Sequence, residues 1–128
     1  IHQWWLELNK KFHYLDNKIY VIMPNHVHGI ITIKEDLRRK GYQNNNNFHE
    51  WKCNQSIPKI IHWFKTITTN EYLKKIKNEN WIPLKNRLWQ RNYYEHIIRN
   101  SNEYQEIFNY IYRNPSQWMD DDENPENM

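Results

Sequence analysis

Two histidines, His26 and His28, stand two residues apart in Pro24-Asn25-His26-Val27-His28, while Tyr110 and Asn114 stand four apart near the other end of the chain. Side chains on a β-strand alternate faces, so a His-x-His pair on a strand projects both imidazoles from one side. Neutral imidazole is a common metal donor, and a pair fixed on a sheet can keep coordination positions open for a substrate. By ligand type, two imidazoles favour zinc or manganese over magnesium, which prefers oxygen. The competing reading is two ordinary histidines on a half-exposed strand, and spacing alone does not separate the two. On a helix, the four-residue step stacks Tyr110 and Asn114 on one face. A phenol there can attack a phosphodiester and conserve its bond energy in a phosphotyrosine link, with a divalent cation spreading the developing charge. Tyr112 falls on the opposite flank and its own i+4 position, Ser116, lies beyond Pro115, so Tyr110 is the better nucleophile on geometry. In a chain with nine tyrosines a structural role is the alternative. His2, His13, His49 and His62 lack comparable partners and read as surface or partly buried residues.

The elements that must carry these residues follow from periodicity. Ile1, Trp5, Leu8 and Phe12 recur at steps of four, three and four, the apolar stripe of an opening helix. The chain starts with Ile rather than Met, so residues upstream are expected. Leu15 to Met23 and His26 to Ile33 predict two strands of a β-hairpin, joined through Met23-Pro24-Asn25. Lys34 to Gln55, polar and aperiodic, predicts a long loop. Ser56 is placed to cap a second helix with Pro58 in its first turn and Ile57, Ile60, Ile61, Phe64 and Ile67 as its stripe. That helix is expected to end near Thr69 or run irregularly through Tyr72, with basic Lys74 to Arg87 as a connection. Leu88 to Ile98 predicts a further strand on the strength of Tyr93, Tyr94, Ile97 and Ile98. Asn100 with Glu103 forms a capping pattern for a last helix with Tyr104, Ile107, Phe108 and Ile111 inward, and Pro115 is expected to stop it. The order is α+β, in one domain over residues 1–118, followed by an acidic tail over 119–128 that is expected to fray.

Charge suggests the partner. The net charge is +3, but five of the fifteen acidic residues lie beyond Trp118, so the body carries 18 basic against 10 acidic residues, a net +8. Such an excess suits a polyanion, because each neutralised phosphate releases condensed counterions. Arg38, Arg39, Lys40, Arg87 and Arg91 are candidate phosphate contacts and Trp89 a candidate stacking surface. Apolar runs are only a few residues long, against roughly 20 for a membrane span. No apolar leader is evident, and the lone Cys53 cannot pair within the chain, so a reducing cytoplasm is expected and Cys53 reads as an inert thiol.

Taken together, Tyr20 to Ile33, Trp63-Phe-Lys-Thr66, Leu88 to Arg99 and Tyr110-Ile-Tyr-Arg-Asn-Pro115 resemble, in order, the REP-associated tyrosine transposases of bacteria. The resemblance implies an HUH endonuclease (histidine, hydrophobic residue, histidine) with a ferredoxin-like antiparallel sheet, packed helices and a C-terminal tyrosine helix. It implies His26, His28 and Asn114 as ligands of Mg2+ or Mn2+ and Tyr110 as the nucleophile. The substrate implied is single-stranded DNA beside palindromic hairpins, cleaved through a 5′-phosphotyrosine intermediate by a cytoplasmic monomer or homodimer without membrane attachment. His96 and Glu95 match a family segment whose residue roles are unassigned; His96 can orient a phosphate or ligand, or make a structural hydrogen bond. In such a βαββαβ sheet the first strand precedes the helix that opens this chain, so that strand is expected to be missing here and backbone groups in mid-sheet to lack their partners. A non-catalytic remnant that binds structured single-stranded DNA or RNA is the competing function, and a zinc-stapled structural domain a weaker one, because only His26 and His28 show ligand spacing.

Overall fold

The computed structural model describes residues 1–34, 57–122 and 124–127. Helix α1 spans His2–Lys11, strands β1 and β2 span Leu15–Ile22 and Val27–Ile33, α2 spans Ile57–Glu79 and α3 spans Ser101–Gln117. Short 3-10 turns follow at Trp118–Asp120 and Pro125–Asn127. No helix among the described residues is long and apolar enough to cross a membrane. The predicted loop over residues 34–55, the Ser56 cap and Cys53 fall almost wholly outside the described residues, as do Arg38, Arg39 and Lys40.

The two strands form an antiparallel hairpin with Tyr20 opposite Gly29 and Val21 opposite His28. Alternation along it gives the hairpin two working faces. On one, Val27, Ile31 and Tyr20 meet a core of Trp5 and Leu8 from α1, Phe12 at its C-cap, Leu15 from β1, and Ile60 and Phe64 from α2. On the other lies α3, whose Ile111 is buried. The architecture is thus α+β, a two-stranded antiparallel sheet packed between helices.

Trp5 locks this arrangement. Its indole Nε1 donates to the Asn17 carbonyl at 2.9 Å, and the Asn17 side-chain amide returns a bond to the Trp5 carbonyl at 2.6 Å. Asn17 sits where the register slips between Asp16 and Ile19, so the bulge turns a polar side chain inward to hold the helix. Room for the indole comes from Gly29: a Cβ built there would lie 2.4 Å from Trp5 Cζ2. Gly29→Ala therefore overpacks a rigid ring, and we expect a loss of about 1–3 kcal/mol, read as a lower urea midpoint at unchanged slope. An unchanged midpoint would show that Trp5 has room to shift.

Four expectations require correction. Helix α2 runs on to Glu79 instead of ending by Tyr72, because Lys and Glu are good helix formers and Glu71–Lys74 and Lys75–Glu79 pair at 2.6 and 2.9 Å on its exposed turns. It ends at Asn80, which takes a left-handed φ of 54°. Residues 88–98 form no strand: they have no ladder partner among the described residues, and Tyr94 and Ile97 are exposed. Pleat-compatible side chains make a strand only where a neighbouring strand offers an edge, and here Lys65 Nζ instead donates to the Gln90 carbonyl at 2.9 Å. Pro115 does not stop α3, which continues to Gln117; so close to the C-terminus the proline forfeits one ladder bond without breaking the helix. The tail does not fray throughout, since Asn124 is buried, its amide donates to the Trp118 carbonyl at 3.1 Å, and Asn127 bonds the carbonyls of Met119 and Asp121.

Candidate functional site

The hairpin turn and α3 build the site between them. His26 and His28 project from one face with ring centroids 4.6 Å apart, as alternation requires. Against that face α3 sets residues at steps of four: the Tyr110 ring lies 5.2 Å from His28, and Trp118, just past the helix end, lies 6.0 Å from His26. Asn114, midway between them on the same helical row, is buried. The structure thus brings Tyr110 and both histidines to one place, where residues more than eighty apart in sequence meet, with Asn114 one turn further along the same row of α3.

Hydrogen bonds set the chemistry of each group. The Asn25 side-chain carbonyl accepts from His26 Nδ1 at 2.7 Å, which fixes the proton on Nδ1 and leaves Nε2, a buried atom, as the lone-pair nitrogen. Tyr110 Oη lies 3.4 Å from His28 Nε2. Tyr110 is half-exposed, so its hydroxyl is open to a polymeric substrate while its ring rests on the sheet. The Asn114 side-chain oxygen is buried and has no hydrogen-bond partner among the described residues. An orphaned buried acceptor costs about 1–3 kcal/mol unless a water or a cation meets it. Asn9 and Asn17 have similar orphan oxygens, but on α1 and at the bulge. Among the described residues no three His, Cys, Asp or Glu side chains cluster as a metal site; two imidazoles and one amide oxygen are the donor set available.

Other candidates lie elsewhere. His96 Nε2 contacts Glu103 at 2.6 Å, and Glu103 also accepts from the Arg99 N–H while its own N–H donates to Asn100. His96 thus completes the N-terminal cap of α3 through Glu103, which lies seven residues or about 10 Å along the helix from Tyr110. The Arg99 amide and then the His96 ring hold the Glu103 carboxyl below its usual range. Glu95 is exposed beside Tyr93, whose phenol is pushed up first by desolvation and then by that carboxylate. Trp89 is partly buried, its ring 5.6 Å from Phe64 and its Nε1 donating to Thr68 at 2.8 Å, so that it packs against the end of the core. Arg87 and Arg91 are exposed. Trp118 and Asn25 were missed by spacing arguments. Asn25 adjoins His26 in sequence, a local signal for a hydrogen-bond partner; Trp118 carries no signal if the helix ends at Pro115.

Comparison with known proteins adds to this geometry. A Haemophilus influenzae protein described only as uncharacterized is 37% identical over 106 residues, which cover 80% of this chain and 55% of that protein. The chain therefore spans about half the length of that relative. No solved structure matches it. The family model for IS200-like transposases matches residues 47–114, a span that includes α2 and both Tyr110 and Asn114. With just over half of its length matched, this chain belongs to the IS200-like transposase family.

Proposed function

We propose that the chain is a single-strand DNA nuclease and strand transferase of the REP-associated tyrosine type, acting beside hairpins through a phosphotyrosine intermediate. The contact between Tyr110 Oη and His28 Nε2 at 3.4 Å carries this reading, because it sets a half-exposed phenol at the edge of a cluster of nitrogen and oxygen donors. His26, His28 and Asn114 would hold a divalent cation, Mg2+ or Mn2+, with the imidazole content favouring manganese. That cation supplies positive charge to the non-bridging phosphate oxygens. The remaining steps belong to the chain. Tyr110 Oη loses its proton and bonds to phosphorus; the bond from phosphorus to the 3′ oxygen breaks, and that oxygen leaves as a free hydroxyl after taking a proton from water. The 5′ phosphate stays on Tyr110, and a later 3′ hydroxyl can reverse the exchange and rejoin strands.

The test is incubation of a labelled hairpin oligonucleotide with an unpaired flank in manganese. Nicking is expected in the flank; binding without any nicking would favour a protein that holds DNA without cutting it. The +8 body predicts strongly salt-dependent binding. At about 0.7 counterions per phosphate for single strands, four contacts would weaken affinity roughly 50-fold between 50 and 200 mM salt. Equal affinity at both concentrations would argue against contacts to the phosphates.

A further inference from the structure

On the far flank of α3 from Tyr110, three aromatic rings stack in a row. Tyr104 and Phe108 are 6.5 Å apart at 19°, and Phe108 and Tyr112 are 6.3 Å apart at 8°, all within the range of attractive ring pairs. The next rung of this four-residue ladder is Ser116, whose hydroxyl donates to the Arg113 carbonyl at 2.7 Å and fills no comparable space. One face of Tyr112 is covered by Phe108 and the other is left open, the residue being 78% exposed.

Beside the open rung, a groove of about 270 Å³ runs between α3 and β1, lined by Phe108, Tyr112 and Pro115 on one side and by Lys18 to Val21 on the other. Met23 N–H donates to the His26 carbonyl at 2.8 Å, so residues 23 and 26 form a hydrogen-bonded pair. Alternation then turns the N–H and C=O of Tyr20 away from β2, toward the outer edge of the hairpin. The Tyr20 ring packs 5.5 Å from Trp5 on the opposite face, so Tyr20 meets the groove through its backbone. Lys18, with 82% of its side chain exposed, places a cation at the mouth, its Nζ 3.6 Å from the Asp16 carboxylate in an exposed pair that an incoming phosphate can exchange. The groove is smaller than the roughly 300–1,000 Å³ of pockets that enclose whole small molecules, so it suits one ring system on an open strand.

We infer that this groove is a nucleobase subsite, in which one unpaired base of single-stranded DNA supplies the missing fourth rung on Tyr112. The outward backbone groups of Tyr20 face the base edge, and Lys18 faces the adjoining phosphate. An apolar peptide side chain would leave the edge groups unmatched, whereas a nucleotide offers a ring for Tyr112, polar edge atoms for the Tyr20 backbone and a phosphate for Lys18. The subsite lies across the helix from Tyr110, about 10 Å away, near enough for a strand held at Tyr110 to place a neighbouring base there. This inference rests on the reading of the chain as a binder of single-stranded DNA.

The probe is a short fluorescein-labelled single-stranded DNA of mixed sequence, read by anisotropy at low salt with the whole chain. Tyr112→Ala is expected to weaken binding about tenfold, the loss of one stacked base, and Tyr112→Phe to stay within about twofold. Ser116→Phe, which puts a ring on the vacant rung, is expected to weaken it by a similar factor, and because Ser116 is exposed that variant should keep its fold. In the unaltered protein one abasic position should also cost about tenfold, and the same position should cost nothing in Tyr112→Ala. Affinity unchanged in both Tyr112→Ala and Ser116→Phe, or an abasic penalty that persists without the Tyr112 ring, would overturn the subsite while leaving DNA binding in place. Failure of the unaltered protein to bind any single strand would overturn the DNA reading itself.

Discussion

Tyr110→Phe is expected to abolish covalent attachment to DNA while leaving the stability of the chain within about 0.5 kcal/mol of its starting value. The substitution keeps the ring that rests against His28 and removes only Oη, which lies 3.4 Å from the imidazole nitrogen on a half-exposed residue. No other tyrosine of α3 has that relation to the histidines. The Tyr112 ring stacks on Phe108 beside β1, and Tyr104 lies two turns earlier in the same ladder. Tyr94, in the unpaired segment before the helix, is 91% exposed. Tyr112→Phe should therefore attach normally. The measurement is a hairpin substrate with manganese, resolved on a denaturing gel, with the adduct mapped by peptide mass. An adduct on Tyr112 or Tyr94, or one that survives Tyr110→Phe, would reassign the nucleophile.

His26→Ala or His28→Ala should lower manganese-dependent nicking at least about a thousandfold, since several kcal/mol of charge stabilisation depend on the cation and each 1.36 kcal/mol is tenfold. DNA affinity should change little, because the +8 of the body does not include the neutral imidazoles. Asn114 gives a sharper contrast. The Asn114 oxygen is buried without a partner among the described residues, so Asn114→Leu, which keeps the branched shape but is larger and apolar, is expected to weaken manganese binding while relief of the orphan offsets the overpacking and holds the urea midpoint within about 1 kcal/mol. Manganese affinity is read by electron paramagnetic resonance on the free ion, independently of nicking. Normal manganese affinity in Asn114→Leu would remove the amide from the ligand set, and normal nicking in both histidine variants would remove the metal role altogether.

How much of this could be read in advance depended on the range of the forces involved. The hairpin and the shared face of His26 and His28 follow from period-two alternation within a dozen residues, and the cap of α3 from Asn100 and Glu103 three apart. Those features are local, so composition and spacing suffice. The ends of α2 and α3 are not legible locally, because neither the last apolar residue of a stripe nor a late proline by itself terminates a helix. In α2, charged pairs extend an exposed helix past the apolar stripe. In α3, the proline comes late enough to be tolerated, and the turn beyond it carries Trp118 to His26.

By itself, the sequence determined the basic body, the hairpin with its paired imidazoles, and a helix that stacks Tyr110 and Asn114 one turn apart, because each depends on residue type and short-range period alone. Only the tertiary structure decided which tyrosine meets the histidines, that the Asn114 oxygen is buried without a partner among the described residues, that Trp89 packs against the core, and that residues 88–98 find no strand to pair with among those residues. Those outcomes depend on how a helix lies across a sheet. That packing is set by the fit of Ile111, Trp5 and Gly29 between elements distant in the chain, which no local pattern encodes.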